Sequence, residues 1–337
     1  MAHVSRRPRI AVDAMGGDVG PAAVVPGVLA ALRGGVDCDL VLYGQQARIA
    51  AELGGAGAQP GIEIVDCTQE IPMDAAPAQA VRATPDSPIV RAMRDQRAGE
   101  VDAVVSAGST GAMVAASLLI LGRLPAAERP AIATFIPTVR GETLLLDAGA
   151  NTQTTAELLL SFARMGDAYC RAMHHVASPA VGLLNIGSEP AKGNDLAVQT
   201  HQALRGSELN FVGNVEGNEV MVGACDVLIT DGFTGNIVLK FVEGVAQFLN
   251  ALARSGRLEP HELEGLRAFS VAIKRGFNYE IYGGAPLLGV AGVSIICHGR
   301  STALAFTHAI RVADQQVRCR LPDLIARALS GTAEREG

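Results

Sequence analysis

Tryptophan is absent from these 337 residues, and Phe, Trp and Tyr together make up only 4% of them. An interior without large rings has to be filled by aliphatic side chains and alanine, which suits a core of Val, Leu, Ile and Ala. Lysine is nearly absent too: Lys192, Lys240 and Lys274 stand against a large arginine majority. The net charge is −6 and no basic block interrupts it, which excludes the electrostatic footprint of a nucleic-acid-binding protein. Cys38, Cys67, Cys170, Cys225, Cys297 and Cys319 lie far apart, with no CxxC pair and no histidine at metal-ligand spacing. That usage predicts a reducing, cytoplasmic setting and no disulfide framework. The longest apolar run, Ala112–Leu121, is about half of what crosses a bilayer. Met1–Arg9 is basic but has no apolar stretch behind it, so neither a membrane-spanning helix nor a signal peptide is expected. Also missing are GxGxxG after a strand, GxxxxGK[ST] and GxSxG, the signatures of dinucleotide binding, of the P-loop and of the nucleophile elbow.

What is present is an alternation of apolar runs, glycine-rich turns and helical periods. Strands are expected at Arg9–Asp13, Asp39–Tyr43, Ile62–Asp66, Asp102–Ser106, Val181–Ile186, Leu209–Val212, Val227–Thr230 and Val293–Cys297. Ala131–Ile136 and Thr143–Asp147, joined by a short link containing Gly141, read as a hairpin or a paired edge rather than a parallel crossover. Helices are expected from Pro21, at Gln45–Leu53, Thr110–Leu121, Thr154–Met173, Asn194–Leu204, Asn236–Arg254, Thr302–Val317 and Pro322–Leu329. The Thr110–Leu121 segment is apolar nearly all round, which predicts a buried helix. Strands alternating with helices give an α/β fold, three layers with a mostly parallel sheet. The chain is expected to be a single bilobed domain, residues 1–337, and Arg254–Asn278 is the charged, weakly periodic stretch most apt to stand apart.

In such sheets ligands bind beyond the carboxyl ends of the strands, and four strand ends here carry glycine with small polar residues. Ser106, Gly108, Ser109, Thr110 and Gly111 lead into an apolar helix, where free N–H groups and the helix dipole would hold an anion; the plainer reading is a Ser or Thr cap on a tight turn. Asn185–Asn194 contains Lys192 and Asn194. A lysine kept in an arginine-rich chain suits a compact charge for a phosphate or a carbonyl, against the alternative of a solvated loop lysine. Asp231 opens Gly-Phe-Thr-Gly, and Asn236 and Lys240 follow four residues apart, so they share a helix face; an Asn cap and a surface lysine is the plainer account. His298 ends the last strand, although a lone histidine is more often structural. The first loop adds Asp13, Gly16, Gly17 and Asp18; two carboxylates without a third ligand predict no metal.

The segments AVDAMGGDVGP, VVSAGSTGA, RPAIATFIPT, LLLDAGAN, GLLNIGSEPAKGN, NFVGNVEGNEV, DGFTGNIVLKFVEGVA and YGGAPLLGVAGV run in order from Ala11 to about Ser301. In these stretches the chain resembles the acyl carrier protein-dependent phosphate acyltransferases of bacteria, the PlsX family. The resemblance implies a fold like that of the isocitrate and isopropylmalate dehydrogenases and the phosphotransacetylases, with an inserted helical arm at about residues 245–282. It implies a homodimer, no cofactor, acyl carrier protein and inorganic phosphate as partners, and an acyl phosphate product destined for a glycerol-3-phosphate acyltransferase. It further implies a cytoplasmic enzyme in peripheral contact with the inner face of the cell membrane. Two positions depart from the family pattern: the Val245–Tyr282 stretch is short and polar, and Arg300 stands where relatives commonly have Ser.

The implied chemistry is attack of a phosphate oxygen on a thioester carbonyl. Phosphate is already an anion at neutral pH, so the site needs positioning and charge stabilisation more than a strong base. Phosphate is assigned to Ser106–Gly111, helped by Lys192 and Asn194; Asn236, Lys240 and His298 orient the thioester or stabilise the oxyanion, and Asp13, Gly16, Gly17 and Asp231 line the cleft. The acidic carrier is expected on a basic surface of Arg254, Arg257, Arg267, Lys274 and Arg275. A short-chain phosphotransacetylase, a nicotinamide-dependent decarboxylating dehydrogenase, which would need a metal-binding Asp cluster that the sequence lacks, and a membrane-tethering scaffold are the rival readings.

Overall fold

The computed structural model describes residues 6–54, 60–266, 268 and 282–331. Two compact units divide the chain: Met1–Pro130 with Glu280–Gly337, and Ala131–Tyr279.

The first unit is built on β1 (Arg9–Asp13), β2 (Asp39–Gly44), β3 (Ile62–Asp66), β4 (Ala103–Ser106), β11 (Ala285–Leu288) and β12 (Val293–Ile296), ordered β3-β2-β1-β4-β12-β11. All neighbours are parallel except β11 against β12. Its helices are α1 (Pro21–Arg33), α2 (Gln46–Glu52), α3 (Pro77–Ala83), α4 (Pro88–Ala98), α5 (Thr110–Ala116), α10 (Ala303–Arg318) and α11 (Leu321–Ser330), and a π-type turn, Ser117–Leu121, extends α5. Successive residues of β1, Ile10, Ala11 and Val12, are all fully buried, as expected where helices cover both faces of a parallel sheet. The core holds Val24, Val28, Leu40, Leu42, Ile49, Val105, Ile295, Phe306 and Ile310, aliphatic as the lack of tryptophan demanded. Helices α1 and α10 meet closely at Gly27. A Cβ there would lie 2.6 Å from the Ala303 carbonyl oxygen, and the Thr307 hydroxyl instead donates to the Gly27 carbonyl at 3.0 Å.

In the second unit, after β5 (Ala131–Ile132), the strands β6 (Thr134–Thr138), β7 (Gly141–Leu146), β8 (Val181–Asn185), β9 (Phe211–Glu216) and β10 (Val227–Ile229) form a sheet ordered β6-β7-β10-β8-β9. The hairpin read from the sequence is present: β6 and β7 are antiparallel, Phe135 opposite Leu144. Pro137 confines β6 to the edge, because proline has no N–H for a second neighbour. The other pairs are parallel, so the carboxyl ends of β7, β10, β8 and β9 share one edge. The helices are α6 (Ala156–His174), α7 (Asp195–Arg205) and α8 (Gly232–Arg254), with residues 260–266 as α9.

The expected α/β class with mostly parallel strands is present, the strands lying in two sheets. Several other expectations are corrected. Helices α3 and α4 were not foreseen, although each begins at a proline, a residue pre-set for the first helical turn, and Gly99 closes α4 in the left-handed conformation. Helix α8 starts at Gly232 rather than near Asn236, because Asp231 and not Asn236 caps it. Thr110–Leu121 is not wholly buried: Leu118 and Leu119 are exposed, since only one face of the segment packs on α3 and α4. Residues 269–278 of the stretch expected to stand apart, Lys274 and Arg275 among them, fall outside the described residues, as does Arg267.

Candidate functional site

In the first unit three strand-end loops close on one another around Asp13, which is almost completely buried. Its Oδ1 accepts N–H bonds from Met15 (2.9 Å) and Gly16 (3.0 Å), and its Oδ2 accepts the Ser106 hydroxyl at 2.7 Å. The Ser106 Oγ in turn accepts the Gly108 N–H at 2.9 Å. One carboxylate thereby ties the loop after β1 to the loop after β4. Burial pushes its pKa up, against the lowering effect of these three hydrogen bonds. The glycines are required by the approach of backbones: a Cβ on Gly16 would sit 2.7 Å from the Gly108 nitrogen, and one on Gly17, at φ +85°, 2.9 Å from the Gly299 carbonyl oxygen. That carbonyl accepts the Asp18 N–H at 2.7 Å, which brings in the loop after β12. There the Arg300 N–H donates to His298 Nδ1 at 3.0 Å, so in the neutral ring Nε2 carries the proton.

The predicted phosphate residues thus divide into four kinds. Ser106 and Gly108 are engaged with Asp13 and with each other. Ser109 caps α5, its hydroxyl accepting the Ala112 N–H at 3.5 Å. Gly111 packs against α3, where a Cβ would lie 2.5 Å from Pro77 Cγ. Thr110 is exposed, and the first-turn N–H groups of Thr110 and Gly111 have no acceptor within the helix.

The second unit repeats the device with a residue to which the sequence analysis gave no role. Asp147, fully buried at the end of β7, accepts N–H bonds from Ile132 (3.0 Å), Gly149 (3.2 Å), Ala150 (3.1 Å) and Asn151 (2.7 Å), and from the Asn151 side-chain amide (2.9 Å). Burial raises its pKa too, with those hydrogen bonds opposing. The loop after β10 rests on this hub. A Cβ on Gly232 would be 2.7 Å from Asp147 Oδ2, and one on Gly235 would collide with the Asp147 carbonyl oxygen. Asp231 spends its carboxylate on the Thr234 N–H (2.9 Å) and hydroxyl (2.7 Å). Asn236 is exposed beside Gly149, whose Cβ would lie 3.6 Å from it. Lys240, one turn on, pairs with Glu243 at 2.7 Å.

Lys192 is half exposed on the loop between β8 and α7, its ammonium 4.0 Å from Glu189. Asn194 is the cap of α7, accepting the Ala197 N–H at 2.9 Å, so its side chain is committed to the helix. The parallel strands place the loops of Asp147, Asp231 and Lys192 on one edge of this sheet. Five of the cysteines are buried, and burial pushes the thiols of Cys38, Cys67, Cys170, Cys225 and Cys297 up to about 12, so none of these is a thiolate nucleophile at neutral pH. The signal for Asp147 was available: Asp-Ala-Gly-Ala-Asn after an apolar strand has the same form as Asp13-Ala-Met-Gly-Gly.

Known proteins resemble this chain along most of its length. The phosphate acyltransferase of Moorella thermoacetica is 47% identical over 319 residues, 92% of each chain, and that of Heliobacterium modesticaldum is 44% identical over 97% of this chain and 99% of its own. Among solved structures, a phosphotransacetylase from Streptococcus pyogenes superposes with a TM-score of 0.63 at 16% identity, covering 93% of this chain and 95% of that one. A branched-chain phosphotransacylase from Enterococcus faecalis gives 0.56 at 13% identity, covering 92% and 99%. These two establish the α/β fold alone. A family profile described as "Fatty acid synthesis protein" matches residues 8–323, and with relatives this similar along almost its whole length, the chain belongs to the phosphate acyltransferase family.

Proposed function

We propose that this acyltransferase moves a long fatty acyl group from acyl carrier protein to inorganic phosphate, supplying acyl phosphate for phospholipid synthesis. The observation that carries the reading is the identity of 44–47% with phosphate acyltransferases over at least 92% of the chain. A phosphate oxygen attacks the thioester carbonyl, the C–S bond breaks, and the carrier leaves as its thiolate, which takes up a proton. The first unit offers phosphate the Thr110 hydroxyl and the N–H groups of Thr110 and Gly111, while Ser106, Gly108 and Asp13 hold that loop in shape. Lys192 supplies a compact positive charge. In the second unit Asn236 and Lys240, and in the first unit His298 through its Nε2–H, are proposed to orient the thioester or stabilise the oxyanion.

The carrier protein is acidic, and Arg254 and Arg257, both exposed, are its proposed landing point. A homodimer is part of the same reading. It is supported by Phe233, Ile237, Phe241, Val245 and Phe248, exposed along one face of α8, since an apolar stripe of this length in water calls for a partner surface. No described helix is long and apolar enough to cross a membrane, and contact with the inner face of the cell membrane is proposed to be peripheral. The acyl phosphate then passes to a glycerol-3-phosphate acyltransferase.

The test is phosphate-dependent release of free carrier from palmitoyl-acyl carrier protein, with the acyl phosphate trapped by hydroxylamine. Release that requires phosphate is the expected result. Turnover of acetyl-CoA in its place would transfer the chain to short-acyl chemistry, and silence with both substrates would refute catalysis. Lys192→Ala should slow turnover by about 10²-fold, the scale of losing one oxyanion or phosphate donor; unchanged turnover removes Lys192 from the mechanism.

A further inference from the structure

The turn that carries Lys192 is held from behind by a chain of buried polar groups that the reaction does not touch. The Glu189 carbonyl accepts two donors, the Lys192 N–H at 3.1 Å and the side-chain amide of Asn214 at 2.9 Å. Asn214 lies in β9 and is 9% exposed. Its Oδ1 is 3.0 Å from Nδ1 of His201, on α7 and 5% exposed. The His201 ring meets Phe211 edge-on, centroids 5.0 Å apart at 78°, which fixes its plane. A second asparagine, Asn185, donates from its amide to the Lys192 carbonyl at 3.0 Å.

The direction of this chain follows from what each group is able to do. A carbonyl only accepts, so the Asn214 nitrogen must face Glu189 and its oxygen must face His201. His201 therefore carries a proton on Nδ1. A buried amide whose donor or acceptor is left unmatched costs far more than the bond returns in water. The His201–Asn214–Glu189 connection therefore permits one arrangement of the turn and penalises the others.

We propose that His201 and Asn214 are positioning residues for Lys192, acting through the Glu189 carbonyl to set where the ammonium is presented. The proposal rests on the reading that Lys192 serves acyl transfer. Neither residue touches substrate; their effect passes through the backbone of residues 189–192. A misplacement of a catalytic group by about an ångström costs up to about a hundredfold in rate, so a loosened turn should show in kcat while the fold survives.

The experiment is a double-mutant cycle on phosphate-dependent turnover of palmitoyl-acyl carrier protein, with Asn214→Asp and Lys192→Ala. Asn214→Asp keeps the acceptor for His201 but removes the donor to Glu189. It should lower kcat about tenfold in the parent, on the scale of such misplacements, while changing kcat by less than about twofold once Lys192 is Ala. His201→Asn, whose amide can donate from the place of Nδ1, should keep near-parental kcat, and His201→Leu should not. Hydrogen exchange should quicken at the Lys192 amide and stay unchanged in α6. If Lys192→Ala is slow but Asn214→Asp costs the same in both backgrounds, the positioning role is wrong and the Lys192 reading stands. If Lys192→Ala turns over at the parental rate, both fall. Should Asn214→Asp fail to fold, His201→Leu takes its place in the cycle with the same outcomes.

Discussion

Replacing Gly235 by alanine opposes two effects of known sign on one helix. Gly235 lies in the first turn of α8, where alanine is the better helix former by up to about 1 kcal/mol. Propensity alone therefore predicts stabilisation. Against it, the new methyl would collide with the Asp147 carbonyl oxygen and reach Thr230 Cγ2 at 3.0 Å. The carbonyl has little room to yield. The Asp147 N–H bonds Thr230 O at 3.0 Å, the Thr230 N–H bonds Leu146 O at 2.7 Å, and the Asp147 side chain is held by Ile132, Gly149, Ala150 and Asn151. Forcing a methylene-sized group into a packed site costs about 1–3 kcal/mol, and this site belongs at the upper end. Subtracting the propensity gain leaves a net loss of about 2 kcal/mol, a fall in Tm of roughly 4–8 °C for a unit of this size. Gly217→Ala is the control, since a Cβ there meets nothing within 4 Å; it should be neutral or stabilise by about 0.4–1 kcal/mol through the unfolded state. Thermal unfolding of both variants and the parent decides the matter. If Gly235→Ala melts at or above the parent, the close approach of α8 to the Asp147 loop is not as described, and the argument for the hub fails with it.

Asp147→Asn leaves one acceptor oxygen where two served five donors, so urea unfolding at neutral pH should show a loss of roughly 1–3 kcal/mol. The parent should also lose stability as pH rises from the ordinary carboxylate value through the raised value of Asp147, because the folded state there holds a proton that the unfolded state has released. The Asn variant should lack that component of the slope, and identical pH profiles would refute it. Asp86 behaves oppositely. The Thr68 hydroxyl and N–H, with Arg91, hold it down at about 2, so its contribution is complete above the ordinary value and fades as pH falls towards about 2. Asp86→Asn should be less stable than the parent at pH 6, with the gap narrowing below pH ~4; a constant gap would count against it. Reversing Arg254 and Arg257 to Glu should raise KM for acyl carrier protein without changing kcat, most at low salt. An unchanged KM removes those two residues from the docking surface.

The alternation of apolar runs and glycine turns was enough to place β1 and β3 to the residue, along with the β6–β7 hairpin and the strand-end loops, because each is written in a contiguous stretch with its own period and breakers. The hairpin followed from the short link, whereas Pro137, read as part of that link, lies inside the edge strand β6. The family was legible for the same reason, in motifs that lie on those loops. The sequence by itself thus determined the α/β class and the family. The tertiary structure alone decided what each polar residue does. Ser106 looked like a phosphate ligand until Asp13, 93 residues away, took its hydroxyl. Asp147 looked like a strand end until donors from Ile132 and Asn151 gathered on it, and His201 gained a partner only when α7 closed on β9 and Asn214. Local propensity reads neighbours along the chain; a hydrogen bond inside a folded core depends on which distant group is brought within about 3 Å, and that distance is a property of packing, not of the order of residues.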